Sequence, residues 1–244
     1  MSGNSSPVSN DEPKRMWRVE IRSYQFACFV AAFLLIAISV AFHLTDTPDM
    51  AAASFFHNLG SATLDGLMIG ITLAGDLTTI FAVAIVLTIL RRTRKLGLAI
   101  LISLVVTSVL LMYVKPLVAR PLPPFEFKPR IKLPDQFTLE QDVIGFTHVP
   151  YSFPSGHETR AASLSLLVGL FLSKRSHKAA HIVWVYPVVI AVSRLYLAAH
   201  YPFDLIASVA LGIVISFILV KVLKLNKGKM SDTLFTKARD PSLD

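Results

Sequence analysis

Six apolar stretches divide the chain, at residues 24–44, 68–90, 97–114, 158–173, 180–199 and 204–223. Each approaches the roughly 20 apolar residues that a helix needs to cross the hydrocarbon core of a bilayer. The predicted fold class is therefore all-α, a polytopic membrane bundle of about six transmembrane helices. The fourth stretch is short, and its polar start is expected at the interface. The second carries Asp76 near its outer third, which blurs its limits. Residues 48–66 mix Phe55, Phe56, Leu59 and Leu64 with Asp49, His57 and Asp65, the pattern of an amphipathic helix lying on the surface. The polar ends, residues 1–22 and 225–244, read as disordered cytoplasmic tails around a membrane domain at 23–224. The first apolar run is too long for a signal-peptide core, and no small-residue cleavage site clearly follows it.

Composition agrees with the pattern. Hydrophobic residues make up 53% of the chain and charged residues 16%, where a soluble domain carries roughly 25% charged residues. The net charge of +8 raises the question of nucleic acid. The Lys and Arg residues, however, stand in short clusters between the apolar runs, so no nucleic-acid partner is expected. Lys14, Arg15, Arg18 and Arg22 precede the first run, and Arg91, Arg92, Arg94 and Lys95 separate the second from the third. Lys174, Arg175 and Lys178 separate the fourth from the fifth, and Lys221, Lys224, Lys227 and Lys229 follow the sixth. Every second connection is basic, which predicts a multi-pass protein of the cytoplasmic (inner) cell membrane with both termini inside. The loops 45–67, 115–157 and 200–203 then face outside. The single cysteine, Cys28, lies in an apolar run and cannot form an internal disulfide.

This topology carries three polar clusters to the same outer face. They are Lys115 to Arg120 and Pro121 after the third run, Pro154-Ser155-Gly156-His157 before the fourth, and Ser193-Arg194 with His200 and Asp204 between the fifth and sixth. Three cations, two histidines and a carboxylate suit phosphoryl transfer. Its transition state spreads negative charge over equatorial oxygens that placed Lys and Arg groups stabilise, and arginine matches those oxygens with a planar fork. One histidine can attack as a nucleophile and another can protonate the leaving oxygen. The motifs hold no carboxylate cluster of the kind Mg²⁺ uses, so neither metal nor other cofactor is expected.

Several of these residues also have structural readings. Ser155 and Glu158 fit a capping box, while a helix N-terminus there would offer N–H groups to a phosphate and Gly156 would allow its close approach. Pro202 suits the first turn of a helix. Asp204 would then lie near His200, able to hold one ring nitrogen and leave the other for attack. Asp76, an ionisable residue within an apolar run, either touches the site or pairs between helices. Arg160 and Glu158 lie next to His157 on the same helix start. His43, His57 and His148 lack a motif context, His177 and His181 belong to a solvated basic cluster, and Trp17 and Trp184 read as interface anchors.

The motifs resemble those of the type 2 phosphatidic acid phosphatase family, which includes lipid A phosphatases, undecaprenyl pyrophosphate phosphatases and vanadium-dependent haloperoxidases. Its pattern is K-x6-R-P, P-S-G-H and S-R-x5-H-x3-D. The second is matched at Pro154–His157 and the third at Ser193, Arg194, His200 and Asp204. The first departs: Leu122 stands at the arginine position, and Arg120 lies two residues before it. The resemblance implies that His200 is the nucleophile forming a phosphohistidine, that Asp204 orients it, and that His157 protonates the leaving group. It further implies that Lys115, Ser155, Gly156 and Arg194 bind the phosphate. Arg120, Lys128, Arg130 or Lys132 would supply the missing cation.

The expected activity is hydrolysis of a phosphate monoester or pyrophosphate of a lipid, with phosphatidate, phosphatidylglycerol phosphate, polyprenyl pyrophosphate and lipid A types as the substrate range. A lipid phosphotransferase with the same intermediate is the second reading. A haloperoxidase fits the membrane bundle poorly. A transporter would account for six spans but not for every motif residue lying at one face. The long outer loop 122–153 is expected to select the headgroup.

Overall fold

The computed structural model describes residues 24–128, 151–173, 176–223 and 225. Both polar tails, Trp17 and residues 129–150 of the outer loop lie outside the described residues. Among those described, the chain forms α1 (Tyr24–Ala41), α2 (Asp46–Asn58), α3 (Ala62–Ala74), α4 (Leu77–Ile89) and α5 (Arg94–Val118). After the outer loop come α6 (Gly156–Ser173), α7 (His177–Ile182), α8 (Val185–Tyr196) and α9 (Pro202–Val222). The described residues contain no strand, only an isolated antiparallel bridge between Pro121 and Tyr151.

The protein is a membrane-embedded, multi-pass helical bundle. Four helical stretches are long and apolar enough to cross a membrane: α1, α5, α9 and the run His177–Tyr196 that joins α7 to α8. The pair α3–α4, bent by 45°, brings the number to five when it is counted as one broken span. The expected count of six is not reached by this measure, because α6 opens on Gly-His-Glu-Thr-Arg. Its polar first turns are nevertheless enclosed: His157, Glu158, Thr159 and Arg160 are all buried. The amphipathic stretch expected at 48–66 is two elements, α2 and the start of α3, separated at Leu59–Ser61. The second apolar run is broken too. Asp76 is the N-cap of α4, and its carboxylate accepts from the Thr78 backbone N–H at 2.9 Å. At membrane depth such a side chain replaces the hydrogen bonds that the helix break leaves open.

The interior is built around α6 and α9. A Cβ at Gly212 would lie 2.4 Å from the Thr159 carbonyl oxygen and 2.9 Å from Ala162 Cβ, so only glycine allows the two backbones this approach. Beside it, Ser163 Oγ is 2.6 Å from Ser103 Oγ of α5 and 2.7 Å from Ser216 Oγ of α9. An apolar cluster of Ile80, Ile100, Leu104, Leu167, Phe217 and Val220 joins α4, α5, α6 and α9 toward their other ends. The helix α1 leans on α9 through Phe26 and Phe29 against Phe217, with centroids 6.2 Å apart in each pair. In α5, Arg94 and Lys115 are separated by about 30 Å of helix, the thickness of the hydrocarbon core. The exposed cluster Arg91, Arg92, Arg94 and Lys95 thus lies at the opposite end of α5 from the motif lysine.

Candidate active site

The segment 151–155 is the hub of the site. After Pro116, α5 ends at Ala119, whose backbone is left-handed (φ 52°). This turn lays residues 120–121 alongside 151–152: the Ser152 N–H donates to the Arg120 carbonyl at 2.8 Å. Lys115, buried at the last turn of α5, donates from Nζ to the Tyr151 carbonyl at 2.8 Å. The Ser155 N–H donates to Ser208 Oγ of α9 at 2.7 Å, and Ser208 Oγ donates to the Asp204 carbonyl at 2.5 Å. The capping box expected at Ser155 and Glu158 is therefore half formed. Ser155 Oγ accepts from the Glu158 N–H at 3.4 Å, but the Ser155 N–H is used on α9. Both carboxyl oxygens of Glu158 are buried without a hydrogen-bond partner among the described residues.

His200 follows a second left-handed residue, Ala198 (φ 49°). Its Nδ1 is 2.7 Å from the Ser152 carbonyl oxygen. A carbonyl only accepts, so Nδ1 carries the hydrogen and the neutral ring keeps its lone pair on Nε2. The carboxylate expected to hold this ring nitrogen stands farther off, with Asp204 Oδ2 at 3.8 Å, beyond hydrogen-bond length. Its oxygens are committed elsewhere. Oδ2 accepts from the Tyr201 N–H at 3.0 Å, and Oδ1 accepts from Arg120 Nη1 at 2.6 Å. The Ser152 carbonyl orients the imidazole directly, and Asp204 adds its charge and fixes the turn that carries the ring.

Arg120 has a different setting from the one expected of a stand-in for the family arginine. Its Nη1 is on Asp204, and its Nη2 lies 2.6 Å from Asp49 Oδ2, 3.6 Å from Asp46 Oδ1 and 3.4 Å from Thr45 Oγ1. Its guanidinium stacks over the Tyr201 ring, 4.1 Å from the centroid. Burial works to lower its pKa, but the Asp204 and Asp49 carboxylates outweigh burial and raise it. An arginine whose two terminal nitrogens already hold carboxylates is a strut, and to grip a phosphate it would have to give one of them up.

The opposite wall comes from α6, α8 and the α3–α4 break. His157 lies in the first turn of α6, with Nδ1 3.4 Å from Arg160 Nη2 and Nε2 3.8 Å from Asp76 Oδ1. Asp76, left open by the sequence, thus reaches the site. Gly75 lets the break come this close, since a Cβ there would lie 3.1 Å from Ile190 and 3.4 Å from His157 Cδ2. Arg194 is fully buried; its carbonyl accepts from the Ala199 N–H beside His200 at 3.1 Å, and its Nη1 reaches Thr72 Oγ1 of α3 at 3.3 Å. Contacts join the three sequence clusters: Lys115 meets Tyr151, Arg120 meets Asp204, and His200 meets Ser152. Asp49, Thr72, Ser152 and Ser208 were not anticipated. Serines and threonines in helices, such as Thr72 and Ser208, carry no local signal of a distant partner, Ser152 acts through a backbone carbonyl that any residue has, and Asp49 read as the polar face of a surface helix.

Known proteins resemble this chain in sequence and in fold. The family model described as the PAP2 superfamily matches residues 92–227, which contain all three motifs. A curated undecaprenyl-diphosphatase of Sulfolobus acidocaldarius is 32% identical over 165 residues, covering 66% of this chain and 71% of the relative. Two solved structures share the fold. The transmembrane PAP2 type phosphatidylglycerolphosphate phosphatase of Bacillus subtilis has a TM-score of 0.67 at 23% identity, over 84% of this chain and 99% of that one. LpxE of Aquifex aeolicus has a TM-score of 0.52 at 23% identity, over 72% and 96%. The matched family segment spans more than half of the chain and includes every motif residue described above, so this chain belongs to the PAP2 superfamily.

Proposed function

We propose that this membrane phosphatase hydrolyses the phosphate monoester or pyrophosphate of a lipid through a phosphohistidine on His200, without a metal ion. One observation carries the reading: the His200 ring is held at Nδ1 by the Ser152 carbonyl, which leaves Nε2 as the nucleophilic nitrogen. In the first step Nε2 attacks phosphorus, the P–O bond to the lipid breaks, and His157 gives its proton to the leaving oxygen. In the second step water attacks the phosphohistidine, His157 takes a proton from it, and inorganic phosphate leaves with His200 restored. Lys115, Arg194, the Ser155 hydroxyl and the Gly156 N–H at the start of α6 supply the positive field that a divalent ion provides elsewhere. The relative from Sulfolobus acidocaldarius supports a polyprenyl diphosphate as the first substrate to try.

Purified protein in EDTA is expected to release phosphate from such a lipid and to form an acid-labile, alkali-stable phosphoprotein. His200→Ala should lose both. Turnover that requires an added metal, or a His200→Ala variant retaining more than a few per cent of the rate, would sink this mechanism. Transfer of phosphate to a lipid acceptor in place of water would favour the phosphotransferase reading.

The site is proposed to face outside, with both termini cytoplasmic. The support is the exposed basic turn 91–95 at the far end of α5 from Lys115, together with the positive-inside tendency. Glu126, which is exposed just beyond the site, offers a test. In a Cys28→Ser background, Glu126→Cys should react with an impermeant thiol reagent in intact cells. Reaction only after permeabilisation would reverse the topology.

A further inference from the structure

We propose that Asp49 is a positioning residue of this phosphatase site, acting through Arg120 and Asp204 on His200; the inference rests on the phosphohistidine reading above. Asp49 sits on α2, more than forty residues before the matched family segment, which begins at 92. It is fully buried although α2 otherwise exposes Met50 and Phe55. Its carboxylate makes two long-range bonds: Oδ2 accepts from Arg120 Nη2 at 2.6 Å, and Oδ1 accepts from the Phe203 N–H in the first turn of α9 at 3.2 Å. The second bond occupies one of the orphan donors of that helix start. The first divides Arg120 between two acids, Asp49 and Asp204.

The division matters for His200. Asp49 and Asp204 share the guanidinium at 2.6 Å each and Asp46 stands 3.6 Å from it, so carboxylates outnumber the cation and the group stays negative, 3.8 Å from His200 Nδ1 at its nearest. His200 becomes cationic when it takes up phosphorus, and this charge stabilises that form. Without Asp49, Arg120 would keep only Asp204 at hydrogen-bond distance, with Asp46 farther off at 3.6 Å, so more of its charge would fall on Asp204, and the Phe203 N–H beside the His200 turn would lose its acceptor. Asp49 would thus work on the rate of phosphoryl transfer while touching no substrate. A residue at the headgroup would instead alter KM.

The test uses the full chain in detergent, with the polyprenyl diphosphate assay and the wild-type and His200→Ala proteins as references. Asp49→Asn removes the charge and little volume. It is expected to lower kcat by roughly ten- to a hundredfold with KM within about twofold, and Asp49→Glu should recover most of the loss. Because Asp49→Asn leaves a buried arginine half paired, the pair Asp49→Asn with Arg120→Gln serves where the single variant does not fold. If Asp49 acts through Arg120, the pair turns over no more slowly than Arg120→Gln alone. An unchanged kcat in Asp49→Asn, a loss confined to KM, no recovery in Asp49→Glu, or multiplying losses in the pair would each overturn the proposal. Absence of wild-type turnover would instead refute the phosphatase reading, so the two failures are distinguishable.

Discussion

The helices α1 and α9 are both long, apolar and packed against one another, yet they use their side chains in opposite ways. On α1 only Val40 is buried, while Leu34, Leu35 and Ile38 are more than half exposed. On α9, Asp204, Ser208, Gly212 and Ser216 are buried, and its polar atoms are used on α6, Arg120 and the 151–155 hub. In water the arrangement would be inverted. In a bilayer the solvent is as apolar as leucine, so burying leucine gains little and packing relies on small residues and hydrogen bonds. The inner pair α6–α9 is therefore the fold's keystone and the frame of the candidate site at once, and α1 is chiefly lipid-facing cladding. This distinction can be broken from either side.

The largest effect is expected where the inner backbones touch. Gly212→Val places two methyl groups beyond a Cβ that is already only 2.4 Å from the Thr159 carbonyl. Neither partner is a flexible side-chain end, so the helices must separate. Overpacking of this kind costs about 3 kcal/mol or more, and it would shift the start of α6, which carries His157, against α9. Thermal unfolding in detergent should shift downward and activity should fall with it. A Gly212→Val protein with wild-type stability would show that α6 and α9 do not pack as described.

Next comes Arg194, which belongs to the inner region by burial and to the site by chemistry. Arg194→Lys keeps the charge and loses the fork. Arg194→Ala loses both, along with a charge-assisted contact of roughly 1.5–3 kcal/mol. The alanine variant should lose roughly ten- to a hundredfold or more in kcat/KM, with lysine recovering part of it. Equal activity in both variants and wild type would remove Arg194 from the phosphate site.

These two positions show what was legible from sequence. Arg194, His157, His200 and Asp204 stood out because their types and spacings make a chemical set, and the alternation of basic clusters predicts one depth for them. The Gly212 contact was silent, since a glycine in an apolar run has no signal until its neighbour is known. Asp49 was read as solvated because its own helix is amphipathic, and only the folded chain brings Arg120 to it. The break at Asp76 hid inside an apolar run, for hydropathy records composition and is blind to where a carboxylate turns back to cap. The count of spans differs for a related reason: α6 is enclosed by its neighbours, and its polar opening residues keep it below the hydropathy that marks a lipid-facing helix.

A smaller effect is expected from the serine cluster. Ser163 bridges Ser103 and Ser216, and Ser216 Oγ also lies 3.2 Å from the Ser163 carbonyl. Interhelical hydrogen bonds inside membrane proteins average about 0.6 kcal/mol, because the separated helices also find partners. Ser163→Ala should therefore lower stability by about 1 kcal/mol across its two contacts, with kcat nearly unchanged. A loss comparable to Gly212→Val would mean that hydrogen bonding, rather than close packing, holds α6 to α9.

The smallest effect belongs to α1. Leu35 is 66% exposed, and in the bilayer that surface meets acyl chains. Leu35→Ala removes atoms that contact lipid in both the native and the unfolded-in-membrane chain, so the burial gain that makes leucine valuable in a soluble core is absent. The cavity penalty is absent as well, because fluid acyl chains fill the space. Stability and turnover should both stay within the scatter of wild type, in contrast to Gly212→Val, although the leucine change deletes more hydrophobic volume than most core substitutions. Unfolding midpoints in detergent and in reconstituted vesicles should agree on this. A marked loss would show that something other than lipid covers α1, and a loss that grows on dilution would identify the cover as a second copy of the chain.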